Sequence, residues 1–74
     1  MKIKLDPDIY TQSAINKMIK WFSPYLKVSV ICYNEMEIEL VVVEEYQEHR
    51  IEVINTFMNN ILDLSIVERL DYEH

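Results

Sequence analysis

The 74-residue chain contains no glycine, a single cysteine and only two histidines. Phosphate-binding loops and nucleophile elbows need glycine at fixed positions, and zinc sites need clustered cysteines and histidines. The absence of these residues at such spacings excludes most familiar enzyme sites. We therefore expect no catalytic residue, no cofactor-binding residue and no metal ligand, and we expect that the protein is not an enzyme.

The usual stabilising devices of very small proteins are also missing. A lone cysteine cannot close an internal disulfide, and a chain of this length buries only about 60% of the surface that its unfolded form exposes. Such chains depend on staples, on dense packing or on a partner. Because 50% of the residues are hydrophobic, we predict a single domain over residues 1–74 that packs densely and depends on a partner.

Signals for membrane insertion or secretion are absent from the sequence. Residues 1–5 alternate charged and apolar side chains instead of building the apolar region of a signal peptide. The longest aliphatic run, residues 40–43, is far shorter than the ~20 residues of a membrane helix. A single cysteine also fits a reducing compartment. We predict a cytoplasmic protein that does not contact a membrane.

Charge is distributed unevenly along the chain. The net charge of −6 argues against nucleic-acid binding, which depends on clustered lysine and arginine. Residues 1–30 hold five lysines and two aspartates, a sum of +3, whereas residues 31–74 hold two arginines and eleven carboxylates, a sum of −9. This polarity either steers a charged peptide or aligns copies of the chain, or it reflects ordinary solvated faces of mixed charge.

The hydrophobic pattern of the N-terminal part predicts a strand followed by a helix. Residues 2–5 alternate with period two, which is typical of a half-buried strand. Apolar residues then recur at helical spacing. The helix begins at Asp6 or at Thr11, since both residue types are good N-caps. It is expected to end at Ser23, because Pro24 disfavours helical geometry in the preceding residue.

The remaining pattern predicts a β-hairpin and a long helix. Residues 26–33 and 36–43 alternate with period two, and Asn34-Glu35 is the predicted turn, where asparagine tolerates a positive φ. The last helix is predicted from about Glu45 to Arg69. Its apolar stripe consists of Ile54, Phe57, Met58, Ile61 and Leu62, extended by Ile51 and Ile66.

These elements predict an α+β fold of two layers, β-α-β-β-α, with a three-stranded sheet and both helices on one face. A right-handed crossover places the first strand parallel to one hairpin strand. The other sheet face is uncovered, and its apolar residues either form a patch for a partner or reflect the strand preference of β-branched residues. The candidate interface for a partner or peptide on this face consists of Lys2, Lys4, Ile31, Tyr33, Val41 and Val43.

The other reactive or aromatic side chains are assigned structural roles. His49 lies four residues after Glu45, but no second histidine stands at helical spacing, so a solvated helix start is favoured over a metal site. Cys32 is predicted to be a small buried hydrophobic residue. The aromatic residues around the end of the first helix are predicted to close one end of the core: Trp21, Phe22 and Tyr25.

Two segments carry a resemblance to a known family. Residues 8–17 contain a tyrosine, a helix cap and Ala-Ile, and residues 57–63 are followed by Ser65-Ile66 and Glu68-Arg69. With the hairpin between them, these segments resemble the HxsD family, the small D component of His-Xaa-Ser peptide-modification systems. The resemblance spans residues 5–70. One departure is Val67, which stands where the resemblance leads us to expect a basic residue.

The resemblance implies a non-catalytic accessory protein that is encoded beside a radical-SAM maturase. Such a protein would bind the precursor peptide, through its leader, or the maturase itself. An extended leader can add to a sheet edge as a further strand. Lys2 and Lys4 on the first strand would favour an acidic leader if that edge is used.

Two other functions remain open from the sequence. The first is a homo-oligomer that pairs its open sheet faces through Ile31, Tyr33, Val41 and Val43. The second is an antitoxin-like partner of a basic protein, which is suggested only by the charge of −9 on residues 31–74. We expect no cofactor in any of these readings.

Overall fold

A computed structural model describes residues 1–72, so His74 lies outside the described residues. It confirms the predicted α+β class, with a three-stranded sheet and two helices. In chain order the elements are β1 (Lys2–Lys4), α1 (Gln12–Trp21), β2 (Leu26–Cys32), β3 (Glu37–Val42), a 3₁₀ helix (Glu44–His49) and α2 (Arg50–Tyr72).

The sheet has the order β1-β3-β2, and β3 runs antiparallel to both of its neighbours. Ile3 lies opposite Ile38 on one side of β3, and Leu26 lies opposite Val42 on the other. β1 and β2 therefore run parallel to each other, as the crossover predicted, but β3 lies between them. This strand order makes β1 and β2 the two edges of the sheet.

Both helices pack on one face of the sheet. Side chains of α1, α2 and all three strands meet in one core, in which Ile38, Leu40 and Val42 provide the buried face of β3. On the opposite face Lys27 and Val41 are exposed. The buried hydrophobic residues are Leu5, Ala14, Ile15, Met18, Leu26, Met36, Ile38, Leu40, Val42, Ile54, Phe57 and Ile61.

The first helix begins after Thr11, one of the two predicted starts. The Thr11 hydroxyl accepts a hydrogen bond from the Ala14 amide at 3.1 Å, which is the N-cap arrangement. Asp6 instead closes a separate turn, in which its carbonyl accepts from the Tyr10 amide at 2.9 Å. The helix ends at Trp21, two residues before the predicted Ser23.

The turn between β2 and β3 differs from the prediction. It spans residues 33–36, and the positive φ of 50° occurs at Met36 instead of Asn34. The Met36 amide donates to the Tyr33 carbonyl at 3.2 Å, and its carbonyl accepts from the Leu5 amide at 3.0 Å. These bonds and the burial of its side chain hold Met36 in this conformation, so β3 begins only at Glu37.

The second helix also departs from the prediction at its start and along its stripe. A 3₁₀ helix over Glu44–His49 precedes α2, which begins at Arg50 and not at Glu45. Ile51 and Ile66 do not extend the buried stripe, because they are 67% and 48% exposed. Ser65 is buried instead, and its hydroxyl accepts from the Thr11 amide at 3.0 Å. This hydrogen bond explains why a polar residue occupies the core position.

Of the three aromatic residues predicted to close one end of the core, Phe22 packs against it, whereas Tyr25 is 40% exposed. Phe22 stacks on Phe57 with ring centroids 5.4 Å apart, and Tyr25 packs edge-on against Tyr46 at 4.9 Å. The prediction is wrong for Trp21, which is 68% exposed because the last turn of α1 directs it to solvent. None of the helices within residues 1–72 is both long and apolar enough to cross a membrane.

Candidate functional site

The two lysines of the predicted interface lie on β1 and face carboxylates. Lys2 is opposite Glu39 and Lys4 is opposite Glu37 in the pairing of β1 with β3. The Lys4 ammonium lies 3.5 Å from a Glu35 oxygen and 3.9 Å from a Glu37 oxygen. Lys2 forms no ion pair in the described residues, but both lysines have a glutamate opposite them on β3, so β1 offers little net charge to an acidic peptide.

The four apolar residues of the predicted interface do not form one patch. Ile31 is exposed near the end of β2, and Tyr33 lies beyond that strand in the turn. Val41 is exposed toward the other end of β3, and Val43 is half-buried after the strand ends. At about 3.3 Å per residue, Val41 lies roughly 13 Å along β3 from Glu37 at the turn end. The outer face therefore has two separate apolar spots.

The edge formed by β1 is protected against pairing with another chain. The strand has only three residues, and its two exposed residues are Lys2 and Lys4. Short edge strands and edge lysines both disfavour association through the backbone. Past Met1, the Val42 carbonyl of β3 points to the same side as β1 and accepts a hydrogen bond from the side-chain amide of Gln47 at 2.6 Å. This acceptor is therefore already occupied.

The edge formed by β2 is longer and its backbone is open. The Val43 amide donates to the Tyr25 carbonyl at 3.0 Å, which fixes the alternation of the ladder between β2 and β3. Ser29 then points its backbone groups toward β3, whereas Val28 and Val30 point theirs away from it. Within residues 1–72, no group forms a hydrogen bond with the outward amides and carbonyls of Val28 and Val30.

The side chains of β2 alternate between the two faces of the sheet. Val28 and Val30 are half-buried against the core, whereas Lys27 and Ser29 are exposed on the outer face. A register shift between Val30 and Cys32 places Cys32 opposite Glu37. Cys32 is therefore half-buried and not buried as predicted. A strand added at this edge would meet an apolar face and a polar face.

The stretch of sequence that contains β2 carries a positive net charge, although Glu37 and Glu39 of the neighbouring β3 lie opposite Cys32 and Ser29. Residues 9–34, which include all of α1 and β2, contain three lysines and no aspartate or glutamate. Lys17 forms an ion pair with Glu68 at 2.9 Å. Lys20 and Lys27 form no ion pair with any residue in the described part of the chain. The open edge thus lies in the one long segment that lacks carboxylates.

A network around Glu68 joins the start of α1 to α2. The Thr11 hydroxyl donates to one carboxylate oxygen, and Ser13 and Lys17 donate to the other at 2.9 Å each. The hydrogen bond from Thr11 is the largest of the effects that hold the pKa of Glu68 below its ordinary value, and partial burial opposes them. Arg69 is engaged as well, since it donates to the Pro7 carbonyl at 2.8 Å.

The remaining surface features are less specific. The Nδ1 atom of His49 lies 3.6 Å from the Oε2 atom of Glu52, and both side chains are exposed. Across residues 1–72 there is no group of three or more side chains that could hold a metal ion. An open groove of about 470 Å³ lies between the N-terminus and the start of α2, lined by Met1, Leu40, Val41, Ile51, Ile54 and Asn55, among others.

Comparison of the chain with protein-family models, with curated proteins and with solved structures found no match in any of the three.

Proposed function

We propose that this protein is a non-catalytic accessory protein of a ribosomal-peptide maturation system. It binds an extended segment of the precursor peptide, such as the leader, along the edge of β2. The observation that carries this proposal is the pair of open backbone positions at Val28 and Val30. The resemblance to HxsD supports the same function, because it implies a small partner of a precursor peptide and a radical-SAM maturase.

The open positions are suited to β-strand addition. Val28 and Val30 each offer one amide and one carbonyl, so an added strand gains four main-chain hydrogen bonds. At a net ~0.5–1.5 kcal/mol per bond, these supply about 2–6 kcal/mol before the cost of ordering the peptide. Burial of the two valines adds apolar contact. This sum predicts transient binding, which suits a protein that delivers a peptide to an enzyme.

A homodimer through the same edge is the second candidate. If two copies pair antiparallel about Ser29, each Val28 lies opposite Val30 of the second copy. Lys27 then lies opposite Ile31 of the second copy, so the pairing brings no like charges together. The self-complementary order of residues 27–31 favours this candidate. Dimerisation and peptide binding would compete for the same backbone groups.

The first test uses the peptide and leaves the protein unchanged. The proposal expects a short precursor peptide to be encoded beside this chain. Calorimetry would measure binding of that peptide, together with two versions that carry N-methyl groups on alternate backbone amides. Methylation removes a hydrogen-bond donor and blocks close approach of the strands. We expect one methylated version to lose at least ~10-fold in affinity and the other to bind normally. Equal affinity of the two versions, or no binding by any of the three peptides, would overturn the proposal.

A matched pair of protein variants tests the choice of edge. Val28→Pro removes an outward amide from β2, and Lys2→Pro removes an outward amide from β1, so neither breaks a bond to β3. Val28→Pro should abolish peptide binding, whereas Lys2→Pro should retain it. Thermal unfolding would verify that both variants fold, and light scattering would report any dimer. Normal binding by a folded Val28→Pro variant would exclude the β2 edge.

A further inference from the structure

We infer that a segment that pairs antiparallel with β2 has the order apolar, polar, apolar, acidic, with the acidic residue opposite Lys27. This inference rests on the proposed function and defines the chemistry of its ligand. It follows from three properties of β2 and its neighbours: which backbone groups point outward, which side chains lie on each face, and which lysines have a carboxylate opposite them in the strand register.

The backbone geometry sets how close each pair of side chains comes. An added antiparallel strand forms hydrogen-bonded pairs at Val28 and Val30, whose amides and carbonyls point outward. The pairs at Lys27 and Ser29 alternate with these and are non-hydrogen-bonded pairs. In such pairs the Cα atoms approach to about 4.5 Å and the side chains lie closest. Lys27 and the peptide residue opposite it therefore interact directly on the outer face.

The inner face requires apolar peptide residues at two alternate positions. Val28 and Val30 are half-buried at the margin of the core, as are Ile19 and Phe22 of the adjoining helix segment. Peptide side chains opposite the two valines fall on this same face. Apolar side chains there would extend the core, whereas charged ones would lose hydration without a partner. The residue opposite Ser29, on the outer face, is polar.

The outer face requires an acidic residue opposite Lys27. Lys27 is exposed, and the β3 residue directly opposite it is Val41, which carries no charge. By register, Glu39 is the nearest carboxylate on β3, but it lies diagonal to Lys27 and directly opposite Lys2. Lys27 is thus the lysine of the sheet that lacks an acidic cross-strand partner. This finding moves the predicted preference for an acidic peptide from Lys2 and Lys4 on β1 to Lys27 on β2.

The test compares three synthetic peptides with the core Val-Ser-Val-Xaa, flanked by polar residues to match the seven residues of β2. Xaa is Glu, Gln or Lys. At low salt the unmodified protein should bind the Glu peptide about fivefold more tightly than the Lys peptide, with Gln between them. Added salt should reduce this difference. Lys27→Glu should reverse the order, and the matched control Lys2→Glu should keep it.

The outcomes separate this inference from the proposed function. If Lys27→Glu leaves the order of the three peptides unchanged, or if the unmodified protein prefers the Lys peptide, the inference is overturned while β2 binding of the precursor can still stand. If none of the three peptides binds, the inference is overturned, and the N-methyl experiment decides the proposed function separately. Because Lys27 is exposed, reversing its charge in Lys27→Glu should leave the melting temperature nearly unchanged. A second variant, Lys27→Gln, should abolish the preference among the three peptides.

Discussion

The two edges of the sheet differ in length, in charge and in anchoring. β1 has three residues, its exposed lysines face glutamates, and Gln47 occupies the adjoining acceptor on β3. β2 has seven residues, begins with the buried Leu26, and leaves Val28 and Val30 open at their outward backbone groups. One edge is thus protected against pairing and the other is not.

This difference shows that protection of a sheet edge is a local property. Natural proteins commonly shorten or charge their edge strands because an open edge promotes aggregation. Here both devices are present at β1, whereas β2 carries a single lysine, Lys27, on its outer face. An open edge of this length is a liability in a small protein unless it is used. The proposed peptide binding is accordingly placed at β2 and not at β1.

The largest effect should come from removing the anchor of β2. Leu26 is 1% exposed, so Leu26→Ala leaves a cavity and should lower the free energy of unfolding by about 2–5 kcal/mol. The matched variant Ile3→Ala on β1 removes a half-buried side chain and should cost about half as much. Urea denaturation measures both losses. Equal losses would show that the two edges are equally anchored.

A smaller effect is expected at the network that fixes α1. Glu68→Gln removes the charge that receives hydrogen bonds from Thr11, Ser13 and Lys17, and should cost about 1–2 kcal/mol. The exposed carboxylate of Asp63 in the same helix provides the control, since Asp63→Asn should change stability by less than about 0.5 kcal/mol. Thermal and urea unfolding at neutral pH would measure both variants. A Glu68→Gln protein as stable as the unmodified one would contradict this assignment.

The same network predicts a dependence on pH. Because the pKa of Glu68 is lower in the folded protein than its ordinary value of 4.5, its contribution is complete above that value. The contribution is lost as the pH falls through the lowered, folded-state pKa. The difference in stability between the unmodified protein and Glu68→Gln should therefore shrink on acidification below about pH 4.5. A difference that stays constant down to pH 2 would contradict the pKa shift.

The smallest effect is expected at the charged pairs of β1. Lys4 lies 3.5 Å from Glu35 and 3.9 Å from Glu37, but its side chain is largely exposed. Lys4→Ala should therefore change the free energy of unfolding by less than about 0.5 kcal/mol. Denaturation at low and high salt would measure the effect, which should be still smaller at high salt. A loss above 1 kcal/mol would show that these pairs stabilise β1 strongly.

Much of the fold could be predicted because burial imposes a period on the sequence. The alternation of Ile38, Leu40 and Val42 gave the buried face of β3, and the spacing of Ile54 and Phe57 gave that of α2. The turn and the full helix stripe depend on contacts between distant residues. A hydrogen bond from the Leu5 amide holds Met36 in its positive-φ conformation. A hydrogen bond from the Thr11 amide to the Ser65 hydroxyl allows Ser65 to be buried in the core. No local pattern contains these pairings.

The candidate site could be predicted only in part. Alternation identified exposed residues of the outer face, including Lys4 and Val41. It could not identify the open edge, because strand order is decided by which strands pair and not by the composition of each strand. The absence of carboxylates from residues 9–34 was the available signal for the site near Lys27. That signal became interpretable once β2 was known to be an edge.

Amide hydrogen exchange along β2 tests the central claim most directly. In the free monomer, the amides of Val28 and Val30 should exchange far faster than those of Lys27 and Ser29, which pair with β3. Saturation with the Val-Ser-Val-Glu peptide should slow Val28 and Val30 and leave the amides of β1 unchanged. Protection of Val28 and Val30 in the free monomer, or their continued fast exchange with peptide bound, would contradict the account.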